Sequence, residues 1–298
     1  MIKRASLYFF LSLSLACCST EQLNQTASGV LQATGNDSDQ NKQIVSASTK
    51  VLSSLAPISY KNERGIGGSV AIDSFANQGA LYPDANLQRY VNLVGRTLAK
   101  NTTRPEVDFS FAVLQSDVPN AWSAPGGYVF LTSALMKDMR DESELAGVLA
   151  HEMSHITEYH MIHMLKRQQF MQGVAEGAQS GSKDVSLEQV TQAADASNQV
   201  IFAQGFDQGM EFEADAVGIG VAAAAGYDPD GLTRFLERTG QEHGSTGGGW
   251  LSSTHPSTTT RVMKLRELEA KNFAGIEGAR ADTRFMAYTR GLTTQPAQ

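Results

Sequence analysis

The chain has 298 residues, enough for one good-sized domain or two small ones, and a formal net charge of −7. Its 41% hydrophobic and 18% charged content is ordinary for a globular protein, and no basic stripe interleaves with aromatic residues, so nucleic acid is excluded as an expected partner. Cys17 and Cys18 are its only cysteines, which excludes a disulfide, a thiolate metal site and a cysteine nucleophile from the folded region.

The N-terminus has the layout of a secretory signal. Lys3 and Arg4 precede an apolar run, residues 5–16, which is shorter than the roughly 20 residues that a membrane-spanning helix needs. A cysteine directly after a small residue resembles the lipobox of bacterial lipoproteins. We therefore expect a signal segment over residues 1–17 and membrane attachment by a lipid on Cys17 alone, with Cys18 as the other candidate for the anchor.

Residues 18–49 are polar and lack periodicity, which predicts a flexible tether. A folded domain is expected to span residues 50–292, with a disordered tail at 293–298. Its first clear element is a helix, because five apolar residues recur at helical spacing. These five residues are Leu87, Tyr90, Val91, Val94 and Leu98.

Strand patterns follow this helix. In "VDFSFAVLQ" large apolar residues alternate with smaller or polar ones, which is typical of a half-buried strand. "NAWSAPGGYVFLT" continues with two more strands around a turn at Gly126 and Gly127. Pro125 has no N–H to donate, so this strand pair is expected at a sheet edge or at a break.

The second half of the chain is predicted to be helical. One long helix is expected over residues 141–170, and others over 186–202, 209–226, 232–240 and the stretch that follows "STHPSTTTR". The order of helices, strands and helices predicts an α+β fold that is mostly helical, with a small antiparallel-edged sheet.

The segment "AHEMSH" contains a candidate metal site. His151 and His155 are four residues apart, so on a helix both imidazoles lie on one face and can reach one ion. Glu152 is rotated off that line, where it can reach a metal-bound water without binding the metal. This arrangement is the one that zinc hydrolysis needs, with Glu152 as the general base.

Two acidic residues compete for the role of third ligand. Glu176 lies twenty-one residues after His155, but glycines interrupt the helical pattern around it. Glu211 is favoured because Asp215 follows it by four residues, on the same helical face, and can orient a ligand histidine. Glu213 is expected to point away and to be structural.

Two further histidines follow the pair. On a continuous helix, His160 would point roughly 140° away from His155. His160 and His163 are therefore expected to face solvent or a neighbouring helix instead of a metal. Arg261 is expected to pair with a carboxylate near the site, although the sequence does not indicate which one.

Five motifs together resemble one protease family: "HEMSH", "EFEAD", "NAWSAPGGYVFLTSAL", "AGYDPDG" and "STHPSTTTR". Their order is similar to that of the gluzincin metallopeptidases that include HtpX, the CaaX prenyl proteases and the mitochondrial overlapping-activity protease. The chain resembles the soluble periplasmic lipoprotein branch. The family's usual Ser-Arg pair before the third ligand is replaced here by Asp207 and Gln208, which bears on the support of the Glu211 helix.

The resemblance implies a zincin-like (minigluzincin) domain whose sheet packs on the helix of "HEMSH". It implies one Zn²⁺ per chain at His151, His155 and Glu211, with Glu152 as base. It also implies an edge strand in the cleft, to which an extended substrate adds by main-chain hydrogen bonds. The residues of that strand region are Asn120, Ala121, Trp122, Gly126 and Gly127.

His255, in "STHPSTTTR", has two open roles. The resemblance implies that it stabilises the tetrahedral intermediate. Alternatively, the glycines at 247–249 let its loop move, so that His255 takes the fourth zinc position and closes a latent site. A His-Pro turn in a surface loop is the simpler third interpretation.

Two functions from different classes remain at this stage. The favoured one is a zinc endopeptidase, lipid-anchored in the periplasm at the outer membrane, that cleaves misfolded or unassembled envelope proteins. The alternative is a chaperone or assembly factor that binds clients at its edge strand and keeps zinc for structure. Glu152 favours the first, because a purely structural zinc site has no use for a base at that position.

Overall fold

The computed structural model describes three stretches of the chain, residues 58–167, 206–243 and 258–293. Several features predicted above therefore lie outside the described residues. They are the signal segment 1–17 with Cys17 and Cys18, the tether at 18–49, Glu176, the helix at 186–202, the glycines at 247–249, His255, and the tail beyond residue 293.

Contacts divide the chain into two compact units. The larger unit, Ser59–Ile162 with Asn198–Gln298, contains every helix and strand numbered below. Of the smaller unit, only Ile58 and residues 163–167 are described. The candidate site lies wholly within the larger unit.

Two capped helices open the larger unit. Helix α1, Tyr60–Gln78, begins after Ser59, whose side chain accepts a hydrogen bond from its first turn. Helix α2, Ala85–Ala99, begins after Asp84 in the same way. Helix α2 buries the apolar stripe that its sequence predicts, because those residues share one face of the helix.

A three-stranded sheet follows, in the order β1–β3–β2. The strands are β1 at Ser110–Leu114, β2 at Ala121–Ala124 and β3 at Tyr128–Thr132. Strand β1 is parallel to β3, and β2 is antiparallel to β3. Within the described sheet β2 borders only β3, so the predicted edge position is confirmed for β2, whereas β3 is the central strand. The β2–β3 turn uses Gly126 and Gly127 at φ values of 76° and 106°.

Helix α4 carries the sequence of the candidate site. After the short helix α3, Ser133–Asp138, it spans Glu142–Thr157, and Asp141 caps it by accepting a hydrogen bond from the backbone N–H of Glu144. Every residue of α4 is buried, since the sheet and the later helices pack around it. A helix buried on all sides holds its polar side chains in fixed positions.

The single long helix predicted over residues 141–170 is wrong. Helix α4 ends at Thr157, a turn follows, and helical structure resumes at residues 160–167. Tyr159 makes the break with a φ of 57°, a left-handed conformation that is costly for a residue with a side chain. Arg104 stabilises this turn from outside the segment: its Nη1 donates to the carbonyl of Ile156 at 3.3 Å, and its guanidinium carbon lies 4.1 Å from the centre of the Tyr159 ring.

Four helices complete the unit. Helix α5 packs along α4 at close range, since a Cβ added at Gly218 would lie 2.9 Å from the backbone nitrogen of His151. The two helices can approach each other this closely because Gly218 has no side chain. The helices are α5 at Gln208–Ala224, α6 at Gly231–His243, α7 at Thr258–Asn272 and α8 at Asp282–Thr289, which continues into a 3-10 turn at Arg290–Thr293.

The predicted fold class is confirmed. The unit is mostly helical, and its small mixed sheet packs against α4 through β2 and β3. A second, small apolar cluster lies between α1 and the sheet and includes Trp122 and Phe130. Across the residues that are described, no helix combines the length and the apolar character needed to span a bilayer.

Candidate metal centre

Helix α4 presents the two histidines as one face. His151 and His155 are fully buried, one helical turn apart, and their Nε2 atoms lie 3.1 Å from each other. Glu152 follows His151 and is also fully buried. Because the helix is packed on all sides, the two rings are held in fixed positions relative to each other.

Glu211 comes from α5 to the same point. Its Oε2 lies 3.8 Å from His151 Nε2, and its Oε1 lies 3.5 Å from His155 Nε2. Among the described residues, these three side chains form a cluster whose donor atoms all lie within 4.8 Å of one another. The structure thus brings together the two predicted histidines and the favoured acidic residue.

This cluster fits a tetrahedral zinc ion. With bonds of about 2.0 Å at tetrahedral angles, neighbouring donor atoms are about 3.3 Å apart. The three observed separations, 3.1, 3.5 and 3.8 Å, bracket that value. Two imidazole nitrogens and one carboxylate are also the donor types of catalytic zinc sites, which leave a further position for water.

The start of α5 holds Glu211 in place. Asp207 caps this helix, with its Oδ1 accepting from the N–H of Met210 at 3.0 Å, and its carbonyl accepts from the N–H of Glu211. Arg261, from α7, places Nη1 3.0 Å from Glu211 Oε2. Asp207, one of the two residues at the position of the family's usual Ser-Arg pair, is therefore the helix cap and supports Glu211.

Asp215 supports the other side of the site. Its Oδ1 lies 3.0 Å from His151 Nδ1, which leaves Nε2 of that ring directed to the metal position. Arg261 binds Asp215 with two hydrogen bonds, from Nη2 at 2.7 Å and from Nε at 2.8 Å. The partners of Arg261, which the sequence did not indicate, are thus Asp215 and Glu211.

The charges of this group depend on one another. Burial alone would raise the pKa of Asp215, but the Arg261 guanidinium and the hydrogen bond with His151 hold that pKa well below its usual value. Burial opposes the charge of Arg261, and the carboxylates of Asp215, Glu211 and Glu152 restore it by raising the pKa of the guanidinium. One buried cation therefore offsets part of the negative charge of the acidic side chains around the two histidines.

The angular prediction for His160 is wrong, whereas its predicted contact with a neighbouring helix is present. It is buried, and its Nδ1 lies 2.9 Å from Nδ1 of His155. Its Nε2 lies 3.3 Å from Oε2 of Glu213, so Glu213 also faces the site through this ring. Burial lowers the pKa of His160 more than Glu213 raises it. His163 is exposed, as expected.

The error has a physical cause. The angular argument assumed a continuous helix, and the left-handed Tyr159 changes the direction in which His160 points. No local signal marks this break, since neither glycine nor asparagine occupies the position. The sequence also did not predict the stacking of Phe206 on His155, whose ring centres lie 3.9 Å apart, because the two residues are far apart in the chain.

In the predicted substrate strand region, the Trp122 side chain and backbone groups of both glycines form hydrogen bonds within the fold. The Trp122 Nε1–H donates to Ser74 Oγ at 3.0 Å, which directs that ring into the small apolar cluster. The N–H of Gly126 donates to Glu63 at 3.0 Å, and the carbonyl of Gly127 accepts from the N–H of Ser110. These two backbone groups are paired within the fold. That the two glycines border the substrate stays a prediction.

The beginning of the same strand region is also tied to the sheet. The N–H and carbonyl of Asn120 both bond Thr132, and Ala121 is buried opposite Leu131. Three residues further along the chain line a small cavity beside His155 instead. They are Ser123, Ala124 and Pro125, opposite Tyr159 and Phe206.

The chain is similar in sequence to known peptidases. The model of the peptidase family M48 matches residues 85–269. A beta-barrel assembly-enhancing protease of Yersinia pestis is 31% identical over 217 residues, which cover 71% of this chain and 44% of that protein. The chain thus spans less than half the length of this relative.

Two other relatives show the same similarity at lower identity. The mitochondrial metalloendopeptidase OMA1 of Schizosaccharomyces pombe is 27% identical over 179 residues, 60% of this chain and 52% of that protein. The metalloprotease YcaL of Escherichia coli K12 is 26% identical over 203 residues, 65% of this chain and 78% of that protein.

Proposed function

The chain belongs to peptidase family M48, and on this premise we propose that it is a zinc-dependent endopeptidase of misfolded or unassembled envelope proteins. The observation that carries the proposal is the buried cluster of His151, His155 and Glu211, with Glu152 between the two histidines on the same helix. A metallopeptidase needs this combination of three donors and a nearby carboxylate.

Each side chain has a distinct task in peptide hydrolysis. His151, His155 and Glu211 would hold the ion, which when bound would polarise a water molecule and a substrate carbonyl. Glu152 accepts a proton from the attacking water and returns it to the leaving amine, so one carboxylate serves as base and then as acid. Arg261 and Asp215 keep His151 oriented while these protons move.

The proposed substrate class and location rest on the name of a relative and on the N-terminal sequence. The name of the Yersinia pestis relative refers to β-barrel assembly, a process of the bacterial envelope. The signal-like N-terminus, with Cys17 as lipid anchor, supports a periplasmic protein held at the outer membrane. Strand β2, at the sheet edge and next to the cavity beside His155, is where we propose that an extended substrate lies.

Replacement of Glu152 by Gln tests the catalytic proposal. The variant should keep its zinc and cleave casein, an unfolded substrate, at least about 100-fold more slowly, because only the base is removed. Glu267→Gln, the same substitution at an exposed position of α7, is the control. Undiminished cleavage by Glu152→Gln would contradict the proposal. Equal suppression of client aggregation by both variants, with no cleavage by the wild type, would favour the chaperone instead.

The proposed location has its own test. Cys17→Ser and Cys18→Ser proteins, expressed separately in a Gram-negative host, are fractionated and compared with the wild type. We expect Cys17→Ser to leave the membrane fraction and Cys18→Ser to stay in it. The reverse result would move the anchor to Cys18. A third protein, in which both cysteines are replaced by Ser, should leave the membrane fraction, and its retention there would contradict a lipid anchor.

A further inference from the structure

We propose that His160 is a positioning residue for the metal ligand His155, acting together with Glu213. This inference rests on the proposed zinc site and adds to it a second support, distinct from the one that Asp215 gives to His151. It concerns how the ligand is oriented, and it assigns His160 no contact with the ion or the substrate.

The contact geometry makes His160 a partner of the ligand ring. The two Nδ1 atoms are 2.9 Å apart, a normal hydrogen-bond distance, and the ring planes meet at 71°. Only 1% of the His160 surface is exposed, so the contact is shielded from competing water. On its far side, His160 Nε2 reaches Glu213 Oε2 at 3.3 Å.

The donor and acceptor roles follow from the chemistry of imidazole. His155 must offer the lone pair of Nε2 to a metal, so its proton resides on Nδ1 and is donated to His160 Nδ1. His160 must then carry its own proton on Nε2, where the Glu213 carboxylate accepts it. The chain from Glu213 through His160 to His155 thus selects the ring form of His155 that binds metal.

The backbone turn at Tyr159 and its contacts with Arg104 determine where His160 lies. The left-handed Tyr159 turns the chain back so that His160 faces His155, and Arg104 holds that turn through Ile156 and the Tyr159 ring. Arg104 is itself fixed by two hydrogen bonds to the buried Glu63, at 3.1 and 2.8 Å. An unfavourable backbone conformation persists only where surrounding contacts enforce it, and such positions are frequent at functional sites.

The two ligand histidines therefore have unequal supports. Asp215 is buried and binds His151 directly, whereas the side chain of Glu213 is 57% exposed and acts through a second ring. Because an exposed carboxylate is well hydrated, its removal should weaken metal binding less than the removal of the buried ring that it orients.

The test measures zinc affinity by competition with a chromogenic chelator, together with the visible spectrum of the Co²⁺ protein. His160→Leu removes the acceptor but keeps an apolar side chain in the buried position. We expect its zinc dissociation constant to rise roughly 10- to 100-fold and its Co²⁺ spectrum to change. His163→Leu, the same substitution at an exposed position, should match the wild type in both.

Conservative variants separate positioning from general packing. His160→Asn keeps an acceptor close to the place of Nδ1 and should recover most of the affinity, and Glu213→Ala should weaken zinc binding slightly. Equal affinity of His160→Leu and the wild type would overturn the inference, as would an Asn variant no better than the Leu variant. If His160→Leu does not fold, an unchanged zinc affinity of Glu213→Ala overturns it alone. Failure of the wild type to bind zinc would instead remove the proposed function.

Discussion

At the N-terminal end of α4 each buried carboxylate meets an arginine, whereas toward its C-terminal end two histidines of α4 converge with Glu211 of α5 on one point. The first group, which we call the anchor end, consists of Asp141, Glu142 and Glu144, paired with arginines of α6 and α8. The second, the metal end, consists of His151, Glu152 and His155. One helix is thus fixed to the scaffold at one end and carries the proposed chemistry at the other.

The two ends of α4 are expected to contribute differently to stability and to metal binding. Substitutions at the anchor end should lower the free energy of unfolding and leave the metal affinity of the folded protein unchanged. Substitutions around the metal end should change both quantities, because buried pairs there also orient the ligands.

The largest effect is expected for Asp215→Asn. The change removes the carboxylate that makes two hydrogen bonds with the fully buried Arg261, so unfolding in urea without metal should be easier by about 3–5 kcal/mol. Zinc affinity should fall as well, because His151 loses its orienting carboxylate. Asp117→Asn, at an exposed position, is the control. If Asp215→Asn had the stability and the zinc affinity of the wild type, Asp215 would not support the site.

Glu142→Gln tests the anchor end. Glu142 accepts four hydrogen bonds, one each from the hydroxyls of Tyr90 and Tyr227 and two from Arg284. An amide cannot accept all of them, so we expect a loss of about 1.5–3 kcal/mol in urea unfolding. The zinc dissociation constant of the folded protein should stay at the wild-type value, and a large change in it would erase the distinction between the two ends.

The same variant has an expected pH dependence. Burial alone would raise the pKa of Glu142, but Arg284 and the two tyrosine hydroxyls keep it below its ordinary value of 4.5. Because the folded carboxyl binds its proton less tightly than the unfolded one, its stabilising contribution is complete above that value and is lost as the pH falls through the folded pKa. The stability difference between wild type and Glu142→Gln should therefore shrink as the pH falls below the ordinary pKa of 4.5 and through the lower pKa of the folded state. A constant difference across that range would contradict this assignment.

Gly218→Ala probes the distance between α4 and α5. The new methyl group would meet the α4 backbone near His151, so we expect a loss of about 1–3 kcal/mol from overpacking. Zinc affinity should fall too, since Glu211 would move away from the histidines. Gly220→Ala is a matched control on the same helix, because a Cβ there meets no atom within 4 Å. It should raise stability by about 0.5–1 kcal/mol.

Much of the site was accessible from the sequence because its geometry is local to helices. The spacing of His151 and His155 sets one helical face, and the spacing of Glu211 and Asp215 sets another. The family resemblance then indicates that the two faces meet. The peptidase assignment and the fold class predicted from these patterns are confirmed.

The remainder depends on contacts between distant residues. His160 faces the site after a left-handed turn at Tyr159, which Arg104, more than fifty residues earlier in the chain, contacts through Ile156 and the Tyr159 ring. Trp122 belongs to a packed cluster because Ser74 accepts its N–H. Neither contact leaves a mark in local composition or periodicity, and both decide which side chains border the site.

Zinc stoichiometry of the purified protein tests the central claim most directly. The wild type and the exposed control Glu267→Gln should each bind one zinc ion tightly, and Glu211→Gln should lose it during dialysis against a moderate chelator while remaining folded. If Glu211→Gln retained one zinc ion with wild-type affinity, the third ligand would have to come from elsewhere and the account of this site would be wrong.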